Sequence, residues 1–124
     1  MAKIFLVLAA ASGFVAVGLG AFAAHGLKSR LAPKLLSAFE TGVQYQMYHA
    51  LALLAIALLL RHFSSAWLSA SGWLMIAGTV LFSGSLYALA LTGLRFFGPI
   101  TPIGGVCFLL GWISLFIAAF KHVK

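Results

Sequence analysis

The fold is decided by the stretch Glu40-Thr41-Gly42-Val43-Gln44-Tyr45-Gln46-Met47-Tyr48-His49, which leads directly into the apolar run from Leu51 to Leu60. Glu40 is the single acidic residue of the chain. Polar side chains in hydrocarbon are costly, so they are usually satisfied by one another or retained for function. The stretch therefore predicts a membrane-spanning helix with a polar site close to one end.

The composition as a whole predicts an integral membrane protein. Of the 124 residues, 64% are hydrophobic and 7% are charged, and the mean hydropathy is +1.14. Soluble domains carry about 25% charged residues. A chain with so few charges cannot cover itself with a water-facing surface.

The formal net charge of +7 does not indicate a nucleic-acid-binding protein, because the basic residues stand at the ends of apolar segments. They are Lys3, Lys28, Arg30, Lys34, Arg61, Arg95, Lys121 and Lys124. This distribution is typical of membrane-flanking anchors that contact lipid headgroups. Membrane lipids are therefore the expected partners, and no nucleic acid is expected.

Four apolar segments are long enough to cross a bilayer. They cover residues 4–24, 33–60, 66–91 and 103–120. Pro33 suits the first position of the second helix, and the short loops predict antiparallel neighbours. The expected fold is an all-α membrane protein, in which residues 1–124 form a single domain of four antiparallel transmembrane helices in an up-down bundle.

Two aspects of topology stay open. Lys3, an apolar stretch and Ala21-Phe22-Ala23 would also fit a cleaved signal peptide, although the length and glycine content of the segment favour a packed helix. The basic residues divide four to four between the two sides of the membrane, so they decide no orientation. The charged α-amine slightly favours a cytoplasmic N-terminus.

Small residues are expected to bring the helices together, because close packing of small side chains drives helix association in lipid. The candidates are Gly13, Ala16, Gly20, Ala24, Gly78, Gly84, Gly104, Gly105 and Gly111. They serve either packing within the chain or a homo-oligomer interface.

Antiparallel helices would gather most polar residues in one half of the membrane. The ligand-binding or proton-binding candidates are His25, Glu40, Gln44, Tyr45, Tyr48, His49, Ser83, Ser85 and Tyr87. At about 100° per residue, Glu40, Gln44 and Tyr48 form one stripe, and Thr41, Tyr45 and His49 form a second stripe beside it. Together the two stripes make one polar arc, from which the apolar residues Phe39, Val43, Met47 and Ala50 are expected to face largely away.

Each candidate also has a structural interpretation. Glu40 would form a salt bridge with Lys28 or Arg30 or a hydrogen bond with His25, or it would act as a protonatable carboxyl group. His49 would be a neutral, hydrogen-bonded imidazole or a proton relay, and Gln44 and Gln46 would link helices. Enzyme chemistry is weakly supported: no catalytic residue, metal site or cofactor is predicted, and a lipid-modifying enzyme ranks last.

Five blocks of this chain closely resemble the domain-of-unknown-function family 423, the YgdD-like small bacterial inner-membrane proteins whose eukaryotic relatives are called transmembrane protein 256. The blocks are Gly20-Ala21-Phe22-Ala23-Ala24-His25-Gly26-Leu27, Thr41 to Leu53, Leu81-Phe82-Ser83-Gly84-Ser85-Leu86-Tyr87, Leu91-Thr92-Gly93 and Ile100-Thr101-Pro102-Ile103-Gly104-Gly105. The resemblance implies a four-helix protein of the bacterial inner (plasma) membrane, with no established substrate or cofactor. One departure is Gly42, where the family often has alanine.

Two functions are therefore expected to compete. In the first, the polar cluster binds or passes a small molecule or proton through a cavity open on the side of Lys28 and Arg95. In the second, the chain is an interaction protein, acting as a homo-oligomer or as an accessory subunit of a membrane complex.

Overall fold

The computed structural model describes residues 1–123, which contain four helices long and apolar enough to cross a membrane. They are span 1 (Ala2–Leu27), span 2 (Pro33–Leu60), span 3 (Ala66–Thr92) and span 4 (Arg95–His122). The predicted fold class, four antiparallel transmembrane helices, is confirmed. Lys124, one of the basic residues at the segment ends, lies outside the described residues.

Local sequence explains where several spans begin and end. Pro33 stands at the first position of span 2, where its missing N–H costs no helical hydrogen bond. Ser65 caps span 3 by accepting a hydrogen bond from the Leu68 backbone N–H at 3.4 Å. Span 3 ends at Thr92 and is followed by Gly93. The φ of 72° at Gly93 is a left-handed conformation that glycine adopts without steric cost.

Two spans contain a turn of π-helix. In span 1 the α-helix Ala2–Phe22 continues as the π-helical turn Ala23–Leu27, so this span extends beyond the expected residue 24. In span 3 the π-helical turn Thr79–Ser83 separates the α-helices Ala66–Gly78 and Gly84–Thr92. Such turns insert one residue into the helical repeat and are frequent at functional sites.

Span 4 begins with a short irregular segment. A 3₁₀ turn, Arg95–Phe97, precedes the α-helix Ile100–His122. The α-helix starts three residues before the expected residue 103 and includes Pro102 in its first turn. A proline is tolerated there because the first backbone N–H groups of a helix have no intrahelical acceptor.

Spans 2 and 3 form the centre of the bundle, with span 1 packed along span 2 and span 4 packed along span 3. Two apolar clusters stabilise it. The cluster nearer the N-terminus contains Phe5, Ile56, Leu68, Met75 and Phe108. The other contains Ala23, Leu27, Phe39 and Ala90. The buried polar side chains of span 2 lie between the two clusters.

The candidate packing residues differ in what they contact. A methyl group on Gly104 would meet the Phe82 backbone, and one on Gly78 would meet the Phe108 ring. Closely packed positions also include Ala16, Gly20 and Gly111. Added methyl groups at Gly13 and Gly84 would meet no atom within 4 Å, the nearest atom to one at Gly105 would be 3.9 Å away, and Ala24 is exposed. These four positions face outward or into open space, because a helix packs only one side against its neighbour.

Candidate functional site

Gln46 is the centre of a buried hydrogen-bond network that joins three spans. Its side chain is 5% exposed. Its Nε2 donates to the Ser12 carbonyl at 3.0 Å and to the Ser12 hydroxyl at 3.3 Å, while its Oε1 accepts from the Tyr87 hydroxyl at 2.6 Å. One amide therefore links span 2 to both span 1 and span 3.

His49 lies one helical turn further along span 2 and links it to span 4. Its Nδ1 donates to the Tyr45 carbonyl at 2.6 Å, and its Nε2 accepts from the Trp112 indole N–H at 3.1 Å. A carbonyl can only accept and an indole can only donate, so these contacts specify the neutral Nδ1–H tautomer. The ring also stacks on Phe108, with centroids 3.5 Å apart.

Two serines of span 3 complete the buried polar layer. The Ser83 hydroxyl donates to the Gly42 carbonyl at 2.7 Å, and the hydroxyl groups of Ser85 and Thr101 are 2.5 Å apart. Within residues 1–123, every fully buried side-chain nitrogen or oxygen atom has a hydrogen-bond partner. The layer can therefore hold the spans together without any bound molecule.

The structure divides the candidate residues into two groups. His49, Ser83, Ser85 and Tyr87 belong to the layer between the spans. The side chains of His25, Glu40, Gln44, Tyr45 and Tyr48 are exposed on the outer surface of the bundle. Tyr45 is the intermediate case, since its ring packs on Phe82 at a centroid distance of 4.7 Å.

The apolar side of span 2, rather than the stripe of Glu40, Gln44 and Tyr48, faces the neighbouring spans. Phe39 and Ala50, expected to face away from the polar arc, are 1% and 5% exposed, whereas Tyr48 is 54% exposed. The helical period separates two faces without showing which one meets the neighbouring helices. Gly42 determines which face of span 2 packs against span 3, because a methyl group there would lie 2.8 Å from the Tyr87 ring.

Glu40 also departs from its predicted contacts. Throughout residues 1–123 it forms no salt bridge, so the expected pairs with Lys28 and Arg30 are absent. His25 directs its Nδ1 to the Ala21 carbonyl at 3.1 Å instead of to Glu40. The carboxyl group faces outward because it lies on the opposite side of span 2 from Gly42 and Gln46.

A cavity of about 270 Å³ lies between spans 1, 2 and 3, beside Gln46 and His49. Its wall is formed by Leu8, Ala11, Ser12, Val15, Gln46, His49, Ala50, Leu53, Met75, Ile76, Thr79 and Val80. Leu8, Val15 and Val80 are exposed and lie well inside their spans. This cavity therefore opens toward the bilayer, whereas the sequence predicted a cavity open on the side of Lys28 and Arg95.

Comparison with known proteins identifies the family. A family model described as "Protein of unknown function (DUF423)" matches residues 19–105. The chain belongs to the DUF423 family. The resemblance found in the sequence is thereby confirmed.

Curated relatives of this DUF423 chain match it over nearly its whole length. The "UPF0382 membrane protein YwdK" of Bacillus subtilis is 49% identical, covering 98% of this chain and 99% of the relative. A "UPF0382 membrane protein" of Haemophilus influenzae is 55% identical, covering 94% of each. No solved structure matches. The relatives' names support a membrane protein and state no ligand or activity.

Three residues around the site are absent from the sequence-based candidates. Ser12 and Thr79 line the cavity, and Trp112 donates to His49. Ser12 is the one polar side chain of the apolar segment 4–24, and this isolation was a usable signal. Gln46 was expected to link helices, yet it was not placed among the candidate site residues.

Proposed function

We propose that this protein resides in the bacterial inner (plasma) membrane and binds a small lipophilic molecule with one polar group, taken up laterally from the bilayer. The observation that carries the proposal is the cavity between spans 1, 2 and 3, where Ser12 and Gln46 lie among apolar walls. Binding sites commonly combine apolar walls with a few polar groups that orient the ligand.

The size and position of the cavity support a small ligand. Its volume of about 270 Å³ lies just below the range of roughly 300–1,000 Å³ found for drug-sized ligands. Thr79 and Val80, at the start of the π-helical turn of span 3, form part of its wall. Non-α backbone at membrane depth is tolerated where it lines a cavity or is buried in protein.

The hydrogen bonds around the cavity limit the chemistry of the ligand. The Ser12 hydroxyl accepts from Gln46 and donates to no acceptor in the described part of the chain. Gln46 Oε1 accepts only from Tyr87 there, which leaves one of its two lone pairs for a donor. A hydroxyl group of the ligand would accept from the Ser12 hydroxyl and donate to Gln46 Oε1. Both ring nitrogens of His49 are already hydrogen-bonded, so this residue offers the ligand only an edge of its ring.

Photolabelling with a diazirine-bearing octanol is expected to modify residues of this cavity, including the segment Met75–Val80. Ala11→Phe should reduce this labelling because Ala11 lines the cavity and phenylalanine would fill it. The modified residues are identified by mass spectrometry of the protein in bilayers. A diazirine-bearing octane of the same length should label the segment less, since it cannot bond with Ser12 or Gln46.

Ala10→Phe is the matched control. Ala10 neighbours Ala11 and is also exposed, but it lines a separate groove between spans 1 and 2. Equal labelling of all outward-facing surfaces, or equal losses in the two variants, would refute the proposed cavity site.

A second candidate function is self-association, supported by the stripe of Glu40, Gln44 and Tyr48 on the outer surface of span 2. Within the described residues, these side chains have no side-chain hydrogen bond or salt bridge. Counting about 20 residues back from Arg61 places Gln44 and Tyr48 within the hydrocarbon. Unpaired polar groups are costly there, and a second copy of the same stripe would pair them.

Gln44→Leu is expected to weaken self-association in bilayers about tenfold, since it removes one interhelical hydrogen bond from each copy. Resonance energy transfer between labelled copies at varied protein-to-lipid ratios measures this. Leu91→Val, on the outer surface of span 3, is the control and should leave the energy transfer unchanged. Unchanged energy transfer in the Gln44 variant would exclude this interface.

A further inference from the structure

A second cavity, separate from the one at Gln46, lies between the beginning of span 2 and the end of span 3. Its volume is about 580 Å³. Two basic side chains, two hydroxyl groups and apolar side chains line it. They include Lys34, Arg95, Ser37, Thr41, Leu86 and Leu89.

Lys34 and Arg95 bring two positive charges to one cavity, and within residues 1–123 neither of them forms a salt bridge. Glu40 is the only acidic side chain, and it pairs with neither of them anywhere in residues 1–123. Like charges in a shared cavity repel, and an anion that binds between them removes this cost. The cavity is therefore complementary to an anion supplied from outside the chain.

The position of the cavity indicates which anions reach it. Lys34 is the second residue of span 2, and Arg95 follows the end of span 3 by three residues. Both therefore lie at headgroup depth on the same side of the membrane. Gly93 also lines the cavity. Its left-handed conformation, with a φ of 72°, turns the chain directly after span 3, and Arg95 then lies beside the same cavity.

The apolar part of the cavity lining favours a lipid over a free ion as the ligand. Leu86 and Leu89 belong to span 3 and precede Gly93 by two helical turns and one helical turn, respectively, so they lie on the hydrocarbon side of the basic residues. A phosphate at Lys34 and Arg95 would thus have an apolar surface beneath it. Basic pockets between transmembrane helices bind anionic headgroups in this manner.

We infer that this cavity binds the phosphate of an anionic phospholipid, with Lys34 and Arg95 contacting the phosphate and an acyl chain lying along Leu86 and Leu89. Ser37 adds a hydroxyl donor that makes no other side-chain hydrogen bond in residues 1–123. The site is independent of the proposed ligand cavity, which shares no lining residue with it.

Native mass spectrometry of the detergent-solubilised protein with added phosphatidylglycerol tests this site. Lys34→Gln and Arg95→Gln should each weaken phosphatidylglycerol binding about fivefold, and the double variant roughly 25-fold. Phosphatidylcholine with the same acyl chains should bind weakly to all variants, because its headgroup carries no net charge.

Lys28→Gln combined with Arg30→Gln is the matched control. It removes two charges from the same side of the membrane, at residues that do not line the cavity. Equal losses in the two double variants would overturn the inference in favour of general surface attraction. Unchanged binding in both single variants at Lys34 and Arg95, with normal elution on size exclusion, would also overturn it.

Inorganic phosphate and glycerol 3-phosphate distinguish a lipid from a soluble anion. If the apolar wall contributes, neither competitor should displace phosphatidylglycerol at equal concentration, which supports a lipid site. If glycerol 3-phosphate binds as tightly as phosphatidylglycerol and competes with it, the lipid assignment is overturned.

Discussion

Gly104→Ala is expected to destabilise the bundle by about 3 kcal/mol, because the added methyl group has no space. It would meet the backbone nitrogen and Cα of Phe82 and the carbonyl carbon of Leu81. These atoms belong to the helix backbone and cannot rotate away as a side chain could. Spans 3 and 4 would have to separate, and contacts such as the hydrogen bond from Ser71 to the Gly111 carbonyl would weaken.

Gly105→Ala provides the matched control for this experiment. The same methyl group at the next residue would meet only Phe82 Cδ2, at an ordinary contact distance of 3.9 Å. Since alanine favours a helix over glycine by about 1 kcal/mol, we expect unchanged or slightly higher stability. Unfolding in mixed micelles with increasing denaturing detergent measures both variants. Equal stabilities would show that spans 3 and 4 are not in close backbone contact at Gly104.

Gln46→Leu is expected to lower the free energy of unfolding by about 1–2 kcal/mol. Leucine has a similar size but cannot bond with Ser12 or Tyr87, so two interhelical links are lost. Hydrogen bonds between transmembrane helices contribute about 0.6 kcal/mol on average and up to about 1.7 kcal/mol. The same unfolding assay, performed with excess micelles that keep the protein monomeric, measures the loss.

Gln44→Leu makes the same chemical change on the opposite face of span 2. Gln44 is exposed, so the substitution should leave unfolding of the monomer within about 0.5 kcal/mol of the original value. The two variants should therefore differ in the property that changes: Gln46→Leu lowers the stability of the monomer, and Gln44→Leu weakens self-association in bilayers. Equal loss of monomer stability in both variants would contradict the orientation of span 2.

The family model matches only part of the polar network. Residues 19–105 include Gln46, His49 and Tyr87, whereas Ser12 and Trp112 lie outside this range. Gln46 and His49 thus each bond with a partner outside the matched residues, while Tyr87 bonds with Gln46 inside them.

The membrane environment, the four helices and their antiparallel order can be predicted from the amino-acid sequence. These follow from local properties: apolar length, the positions of Pro33 and the basic residues, and loops too short for any other connection. The sequence also identified His49, Ser83, Ser85 and Tyr87 as members of a polar group, since polar residues within apolar segments are recognisable without a structure.

The buried face of span 2, in contrast, is known only from the packing of the four spans. Periodicity places Glu40, Gln44 and Tyr48 on one face and Phe39, Gly42 and Gln46 on another, but it contains no information about the neighbouring helix. That choice depends on shape, because Tyr87 fits against span 2 only where Gly42 lacks a side chain. The partnership of Gln46 with Ser12 and the lateral cavity are likewise products of packing between distant segments, which no local pattern encodes.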